Sequence, residues 1–259
     1  MNPTEQRAVL RMINGGFIPS SDAFASESHV RLSSEAGHTV SVLATPADIE
    51  VFALGHALSE GWWDGNGMVP TVEIARTDEG LSAHLMGATG WEPIRESRLI
   101  HPSCGGCGES MASPPAGQRL SSNHRLDPST LSTHIKGMKA LQPLFAATGG
   151  VHAAALVDLN DEIMVCEDIG RHSAVDKVIG RWLIERPTER PAALLLSGRC
   201  GWDLVAKAVR VGLRQIACVG AMSDAAAVLA REQGILLMGF ATRADPQFVG
   251  PWAPNPAKA

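Results

Sequence analysis

The amino-acid sequence predicts an α/β protein in which a small α+β unit precedes a larger α/β unit. The chain of 259 residues is long enough for one large domain or two modest domains with real cores. In its second half, helix-like and strand-like segments alternate, which is typical of a sheet covered by helices. Two strand candidates there, residues 192–197 and 235–240, are almost entirely apolar. Such strands are buried on both faces of a largely parallel sheet.

The small unit is predicted over residues 1–100. Its middle part contains a helix, for which Thr45 is the expected cap, Pro46 fits the first turn and Gly61 marks the end. Four segments around this helix have the composition of strands. They are residues 29–34, 38–44, 69–75 and 81–86.

The larger unit is predicted over residues 126–259. Apolar residues at helical spacing predict one helix from Leu131 to Phe145, which Gly149 and Gly150 end. The proline-rich tail, residues 246–259, is expected to fray. Strands and helices alternate between these segments. The predicted strands are 152–158, 163–166, 192–197, 215–220 and 235–240, and the predicted helices are 173–185, 202–212 and 223–233.

The charge balance and the apolar pattern limit the classes of function. The formal net charge is -5, which argues against a broad nucleic-acid or membrane-binding surface. No apolar run reaches the roughly 18 residues of a membrane span, and the N-terminus lacks the apolar core of a secretory signal. Five cysteines without a regular framework indicate a reducing compartment. We expect a cytoplasmic protein without nucleic-acid or membrane partners.

Two cysteines, Cys104 and Cys107, lie three positions apart in an irregular, glycine-rich loop predicted over residues 101–125. A structural zinc site normally needs four nitrogen or sulfur ligands, and a second paired motif is missing. A thioredoxin-type redox pair would open a helix after a strand. A sulfur carrier that holds a persulfide, and a pair of surface thiols without a role, stay open. A carrier must reach two partners, so we expect residues 100–120 to form a mobile arm.

Two junctions of strand, glycine, arginine and helix predict phosphate sites. Backbone N–H groups at a helix N-terminus and arginine side chains are the groups that bind phosphate. In a parallel sheet both junctions would lie at the carboxyl edge, where open α/β sheets bind ligands. Solvated turns and, for the serine, a hydrolase nucleophile without its usual flanking glycines are the alternatives. The junction residues are Gly170, Arg171 and His172, before a helix expected to begin at Ser173, and Ser197, Gly198 and Arg199; His152 is a further polar candidate.

Long segments of the chain resemble the FdhD/NarQ family, and the resemblance covers most of the sequence. It implies a cytidine-deaminase-like α/β/α domain joined to a smaller N-terminal α+β domain, assembled as a homodimer. The segments that carry it are residues 39–61, SCGGCG (103–108), LFAATGGVHAAAL (144–156), EDIGRHSAVDKVIG (167–180), SGR (197–199) and GILLMGF (234–240).

The resemblance also implies a function, that of a sulfur carrier or sulfurtransferase. Family members take persulfide sulfur from a cysteine desulfurase and transfer it to the molybdenum of a bis(molybdopterin guanine dinucleotide) cofactor, for apo formate dehydrogenase. By position, Cys104 matches the persulfide-bearing cysteine and Cys107 its partner, and no bound zinc is expected. The phosphates of the cofactor would contact the two arginine junctions. Its other expected contacts are Phe240, Ala241, Thr242, Arg243, Ala244 and Asp245.

The sequence departs from the usual family pattern in several places. Ser173 replaces an asparagine, residues 200–203 replace a Ser-Phe-Glu type sequence, and residues 221–223 replace an Ala-Pro-Thr turn. The closing motifs are replaced by residues 241–250, and the customary N-terminal strand with its Asn-Gly turn is not identified. These departures leave open a paralogue that serves another molybdenum or tungsten enzyme.

Two interpretations come from other classes of function. A zinc hydrolase of the deaminase type needs a His-x-Glu motif before a Pro-Cys-x-x-Cys motif. Here no His-x-Glu occurs, and the cysteine pair precedes the larger α/β unit. A non-catalytic cofactor-binding chaperone with incidental cysteines stays open.

Overall fold

A computed structural model describes residues 2–94, 114–122 and 124–251, in which helices and strands alternate as an α/β protein. The helices are α1 (Ile49–Ser59), α2 (Pro128–Gly137), α3 (Pro143–Thr148), α4 (Arg171–Glu185), α5 (Trp202–Val211) and α6 (Asp224–Glu232), with a 3-10 helix over Met138–Leu141. The strands are β1 (Thr4–Ile13), β2 (Gly16–Ala25), β3 (Ser28–Ser34), β4 (Thr39–Ala44), β5 (Thr71–Thr77), β6 (Gly80–Met86), β7 (His152–Val157), β8 (Ile163–Asp168), β9 (Ala193–Leu196), β10 (Gln215–Cys218), β11 (Leu236–Gly239) and β12 (Gln247–Val249).

The larger part of the chain is organised around a six-stranded sheet with the order β12-β11-β10-β9-β7-β8. Strands β9, β10 and β11 are parallel, whereas β7 is antiparallel to both β8 and β9, and β12 is antiparallel to β11. The prediction of a largely parallel sheet is therefore wrong for β7 and β12, which are antiparallel to their neighbours. The turn between β7 and β8 is too short for a crossover, so it can join only antiparallel strands.

Both faces of this sheet are covered. Alternate residues of β7 belong to two separate apolar clusters, because successive side chains of a strand point to opposite faces. Ala154 and Leu156 lie in the cluster that contains residues of α1, α4 and α5. Ala153 and Ala155 lie in the cluster that contains residues of α2. As the apolar patterns predicted, β9 and β11 are buried along their whole length.

A second, four-stranded sheet of order β4-β3-β6-β5 confirms the four strands predicted in the N-terminal part. The predicted cap of α1 is wrong. The helix begins at Ile49, and Asp48 precedes it in a left-handed conformation without a side-chain cap. Thr45 instead faces the larger sheet, where its backbone N–H donates to Asp168 Oδ2 at 3.1 Å and its carbonyl accepts from Lys177 Nζ at 3.0 Å.

An N-terminal hairpin contains the Asn-Gly turn and the strands that were not identified in the sequence. Strands β1 and β2 pair antiparallel over ten residue pairs. Asn14 and Gly15 connect them with φ of 51° and 81°, the backbone that a tight hairpin turn requires and that Asn-Gly favours. Both strands are largely exposed, so they lack the apolar pattern by which a half-buried strand is recognised.

Two further expectations are corrected. The single helix predicted from Leu131 to Phe145 is divided into α2, the 3-10 helix and α3, because Pro143 lacks the N–H needed to continue a helix and opens α3 instead. The predicted fraying of the tail is wrong for Gln247–Val249, which form β12. Residues 252–259 lie outside the described residues.

The described end of the predicted mobile arm is packed against α5. The backbone N–H of Gly117 donates to Val209 O at 2.9 Å, and that of Leu120 donates to Val211 O at 2.8 Å. Leu120 is buried, and a Cβ on Gly117 would lie 1.5 Å from Arg210 O. Gly117 and Leu120 are therefore packed against the larger part of the chain. The mobility of the arm stays a prediction, and its earlier part lies outside the described residues.

Helix α1 contacts α4 of the larger part of the chain at very short range. A Cβ on Gly55 would lie 1.7 Å from Asp176 O, and a Cβ on Gly180 would lie 1.8 Å from Val51 O. One apolar cluster includes residues of α1, α4 and α5, so the two predicted units share a core. The boundaries at residues 100 and 126 stay a prediction. No helix within the described ranges is long and apolar enough to cross a membrane.

We expect Gly55→Ala to lower the free energy of unfolding by about 3 kcal/mol, because the new methyl group overlaps the backbone of α4 and forces the helices apart. The measurement is urea unfolding followed by tryptophan fluorescence. Gly137→Ala is the matched control. A Cβ there meets no atom within 4 Å, so its unfolding free energy should stay equal or rise by up to about 1 kcal/mol. Equal stability of the two variants would contradict the proposed tight crossing.

Candidate functional site

The residues predicted to bind a ligand meet at one edge of the six-stranded sheet. Because β7 is antiparallel to β8 and β9, β8 runs in the same direction as β9, β10 and β11. The carboxyl ends of these four strands therefore lie beside the start of β7. This edge brings together His152, Gly170, Ser197 and Phe240, at the place where open α/β sheets bind ligands. The expectation that both arginine junctions share one edge is confirmed.

The first junction is partly neutralised by an acid. Helix α4 begins at Arg171, before the predicted start at Ser173, so Arg171 and His172 belong to its first turn. His172 Nε2 is hydrogen-bonded to Asp203 of α5, and Arg171 Nη2 lies 3.9 Å from the same carboxylate. Burial acts to raise the pKa of Asp203, but the hydrogen bond with His172 and the charges of His172 and Arg171 hold it below its ordinary value. The ionised Asp203 therefore neutralises part of the positive charge of this turn.

Asp168, the last residue of β8, stabilises the turn before α4. Its Oδ1 accepts from the backbone N–H of Gly170 at 2.8 Å, and its Oδ2 lies 2.7 Å from Lys177 Nζ. Asp168 and Lys177 are both fully buried. Asp168 therefore serves to shape the junction rather than to contact a ligand.

The second junction continues the pairing of β9 with β7. Ser197 Oγ accepts from the backbone N–H of Ala153 at 2.8 Å, and the N–H of Ser197 donates to Ala153 O at 3.0 Å. This structural role accounts for the serine without a hydrolase mechanism. Arg199 is exposed. Among the residues that the structure describes, no acidic side chain pairs with it.

His152 lies between the two junctions. A Cβ on Gly198 would lie 3.3 Å from His152 Nδ1, so the imidazole packs closely on the glycine of the second junction. Burial lowers the pKa of His152, and the charges of Arg171, His172 and Arg199 lower it further. The imidazole is therefore neutral near pH 7 and lies in a region of positive potential.

The segment after β11 forms a compact turn beside these groups. Phe240 has a left-handed backbone with φ of 52°, and its N–H donates to Gly220 O at 3.0 Å. The guanidinium of Arg243 lies 3.8 Å from the centre of the Phe240 ring, which is a cation–π contact. Ala241 is buried and Thr242 is half-buried; Arg243, Ala244 and Asp245 are exposed.

A cavity of about 630 Å³ opens at this edge. Of the residues predicted from the sequence, Ser197 and Thr242 line it, together with His152, whereas the arginines of both junctions lie outside its wall. Lys136 and Lys139 also line it and were not predicted, because lysines near the end of a helix resemble ordinary surface charges. The remaining lining residues are Ile135, Met138, Gln142, Phe145, Gly149, Gly150, Val151 and Val219.

The cysteines divide into two groups. Cys104 and Cys107 lie outside the described residues, so their role and the absence of zinc stay predictions. Cys166, Cys200 and Cys218 are buried free thiols. Burial raises the pKa of Cys166 to about 12 and that of Cys218 to about 11, and it raises the pKa of Cys200 well above its ordinary value. Since the thiolate is the nucleophile, these three thiols are poor nucleophiles near neutral pH.

Comparison with known proteins identifies the family. The sequence profile described as the FdhD/NarQ family matches residues 25–248. The chain belongs to the FdhD/NarQ family. This confirms the resemblance carried by the segments around both arginine junctions and the cysteine pair.

Relatives match over nearly their whole length. A protein of Thermoplasma acidophilum named sulfur carrier protein FdhD is 34% identical over 92% of this chain and 88% of the relative. A protein of Anaeromyxobacter sp. with the same name is 35% identical over 91% of this chain and 88% of the relative. The crystal structure of a formate dehydrogenase accessory protein from Desulfotalea psychrophila has a similar fold, with a TM-score of 0.70 and 21% identity over 96% of this chain and 98% of that chain. The cytidine-deaminase-like description of the fold stays a prediction.

Proposed function

We propose that this protein is a cytoplasmic sulfurtransferase that carries sulfur for formate dehydrogenase. It accepts persulfide sulfur from a cysteine desulfurase and delivers it to the molybdenum of a bis(molybdopterin guanine dinucleotide) cofactor destined for the apo enzyme. The observation that carries the proposal is membership of a family whose relatives, 34–35% identical over about nine-tenths of this chain, are named sulfur carriers. The cofactor is the substrate of the transfer rather than a resident group.

The sulfur is proposed to move through Cys104 and Cys107. The Cys104 thiolate attacks the terminal sulfur of the donor persulfide; the donor S–S bond breaks, and the donor cysteine leaves as a thiolate. The Cys107 thiolate then attacks Cys104 Sγ, so that the terminal sulfur leaves with its electron pair as sulfide for the cofactor. A Cys104–Cys107 disulfide remains, and a cellular dithiol reduces it.

The state of the other cysteines supports this assignment. A sulfur carrier needs an accessible thiol with a substantial thiolate fraction. Cys166, Cys200 and Cys218 are buried, and the pKa of each is raised. The paired cysteines are thus the better candidates for sulfur transfer.

We expect that after incubation with a cysteine desulfurase and cysteine, mass spectrometry finds one additional sulfur atom on the peptide that contains Cys104. Cys104→Ala should abolish this sulfur, whereas Cys107→Ala should keep it on Cys104, because the releasing thiolate is missing. Cys218→Ala is the control and should load like the wild type, since that thiol is fully buried.

Undiminished loading of the Cys104→Ala protein would contradict the sulfur path, and so would one zinc ion bound per chain. If Cys104→Ala still activates formate dehydrogenase in cells, a non-catalytic cofactor-binding chaperone would be the better interpretation.

The nucleotide part of the cofactor is proposed to bind at the sheet edge that carries both arginine junctions and the turn Phe240–Asp245. Arg199 is exposed and has no acidic partner in the described part of the chain. Arg171 Nε is buried without a hydrogen-bond partner. Positive potential at His152 agrees with a phosphate ligand. Residues 200–203 depart from the family pattern, and Asp203 in this segment lies beside Arg171 and His172. Because Asp203 partly neutralises Arg171, Arg199 is the arginine that is more available to a phosphate.

We expect Arg199→Ala to weaken GDP binding about tenfold or more, because a charge-assisted hydrogen bond contributes about 1.5–3 kcal/mol. Arg171→Ala should have a smaller effect, because Asp203 already partly neutralises the Arg171 guanidinium. Calorimetric titration measures both variants. Arg76→Ala, an exposed arginine on β5, is the charge-matched control and should bind like the wild type. Wild-type affinity in both site variants would rule out phosphate contacts at the junctions.

A homodimer is proposed on the properties of the hairpin formed by β1 and β2. Directly paired residues share a face of an antiparallel ribbon, so one face carries only uncharged residues, among them Leu10, Met12 and Phe17. These side chains are 66%, 71% and 70% exposed. The opposite face carries charged residues, of which Arg11 and Asp22 pair at 2.9 Å.

An isolated two-stranded hairpin is marginal in water. An uncharged face with exposed apolar side chains suits a second copy of the same face about a two-fold axis, the commonest symmetry of soluble oligomers.

We expect light scattering to find a dimer for the wild type and a monomer for the double variant Leu10→Ser, Phe17→Ser, because the substitutions place hydroxyls in the apolar interface. Arg7→Ser on the charged face is the control and should stay dimeric. A wild-type monomer, or a double variant that stays dimeric, would contradict an interface at this face.

A further inference from the structure

The cavity beside the strand edge has an unusual distribution of lysines. The structure describes four of the chain's lysines, and two of them, Lys177 and Lys207, are buried and paired with carboxylates. The two exposed ones, Lys136 and Lys139, both line the cavity. Every exposed lysine in the described part of the chain therefore lines this one cavity.

These two ammonium groups are not neutralised by the protein. Among the described residues, neither side chain forms an ion pair, and none of the residues that line the cavity is acidic. Lys136 lies in the last turn of α2, where a cation also complements the helix dipole. That explanation does not extend to Lys139, which lies in the 3-10 helix beyond the end of α2. Two unpaired cations in one concave site create a positive potential that attracts anions.

The cavity also has an apolar lining suited to a planar ring. Phe145, Met138, Val151 and Val219 contribute apolar lining. Phe145 is held in place, because its backbone N–H donates to Glu167 Oε1 at 2.7 Å. The volume of about 630 Å³ lies in the range of pockets that enclose small organic ligands.

The cavity also meets the site already described. His152 and Ser197 line the cavity and also lie at the strand edge. The exposed Arg199 follows Ser197 by two residues, whereas Lys136 and Lys139 belong to the cavity wall. Three cations without an acidic partner among the described residues therefore lie at this edge or in the cavity that opens there, and a ligand with more than one phosphate group could engage several of them.

We propose that this cavity holds the nucleoside diphosphate part of the ligand, with Lys136 and Lys139 as phosphate ligands and Phe145 packed against the base. The inference rests on the proposed nucleotide site and extends it to the wall formed by α2, the 3-10 helix and α3. The lysines bind the phosphates as point charges, so binding depends on ionic strength.

The test compares GDP with guanosine in calorimetric titrations of the full chain. We expect the double variant Lys136→Ala, Lys139→Ala to raise the Kd for GDP at least tenfold and to leave the Kd for guanosine unchanged, because guanosine has no phosphate. Lys136→Arg with Lys139→Arg should keep the GDP affinity within about threefold, since the charges remain. Arg76→Ala controls for the loss of charge at a distant strand. The dependence of GDP affinity on salt should be smaller in the alanine double variant.

A GDP affinity of the alanine double variant within twofold of the wild type would overturn the inference while leaving the proposed nucleotide site intact. An equal loss of guanosine affinity would also overturn it, because the lysines would then shape the cavity instead of binding phosphate. If the wild type does not bind GDP, the proposed nucleotide site fails and this inference fails with it.

Discussion

The close contact between α1 and α4 is the constraint on which the rest of the structure depends. No side chain fits between the helices at Gly55 and Gly180, so their backbones touch. Beside this contact, Asp176 accepts hydrogen bonds from His56 Nδ1 at 2.9 Å and from Lys207 Nζ at 2.7 Å. Burial acts to raise the pKa of Asp176, but the Lys207 charge and the bond from His56 hold it far below its ordinary value. A buried charge that keeps its partner is tolerated, whereas one that loses its partner is strongly destabilising, so moving α1 away from α4 would also cost the contact between His56 and Asp176.

The geometry of the crossing affects the proposed ligand site because α4 begins there. Arg171 and His172 occupy its first turn, so their positions follow from where α1 holds the helix. A second connection acts at the same end, where Thr45 joins the buried pair Asp168 and Lys177. The N-terminal sheet and the strand edge are therefore joined by direct hydrogen bonds. Such support is what a site needs to hold charged groups in fixed positions.

The sequence predicted the elements that neighbouring residues define, namely helices with one apolar face and strands that are apolar along their whole length. The apolar runs of β9 and β11 and the helix α5 are examples. It did not predict β1 and β2, because their exposed strands lack the apolar alternation, although Asn14-Gly15 is a strong hairpin signal. At the site, both arginine junctions were found from strand, glycine and cation in order. The sequence did not indicate that Asp203 neutralises one junction or that two lysines line the cavity, since both depend on contacts between elements distant in the chain.

The left-handed backbone of Phe240 has a consequence for attempts to engineer this protein. A non-glycine residue in that conformation costs about 1–3 kcal/mol, and glycine would adopt it without strain. A search for thermostable variants that ranked substitutions by backbone strain alone would therefore select this position early. The resulting glycine would remove the ring on which Arg243 is stacked, in the turn that we propose as part of the ligand site. If the proposed ligand site is correct, greater heat resistance and ligand recognition are opposed at this residue, so libraries designed for stability should leave it unchanged.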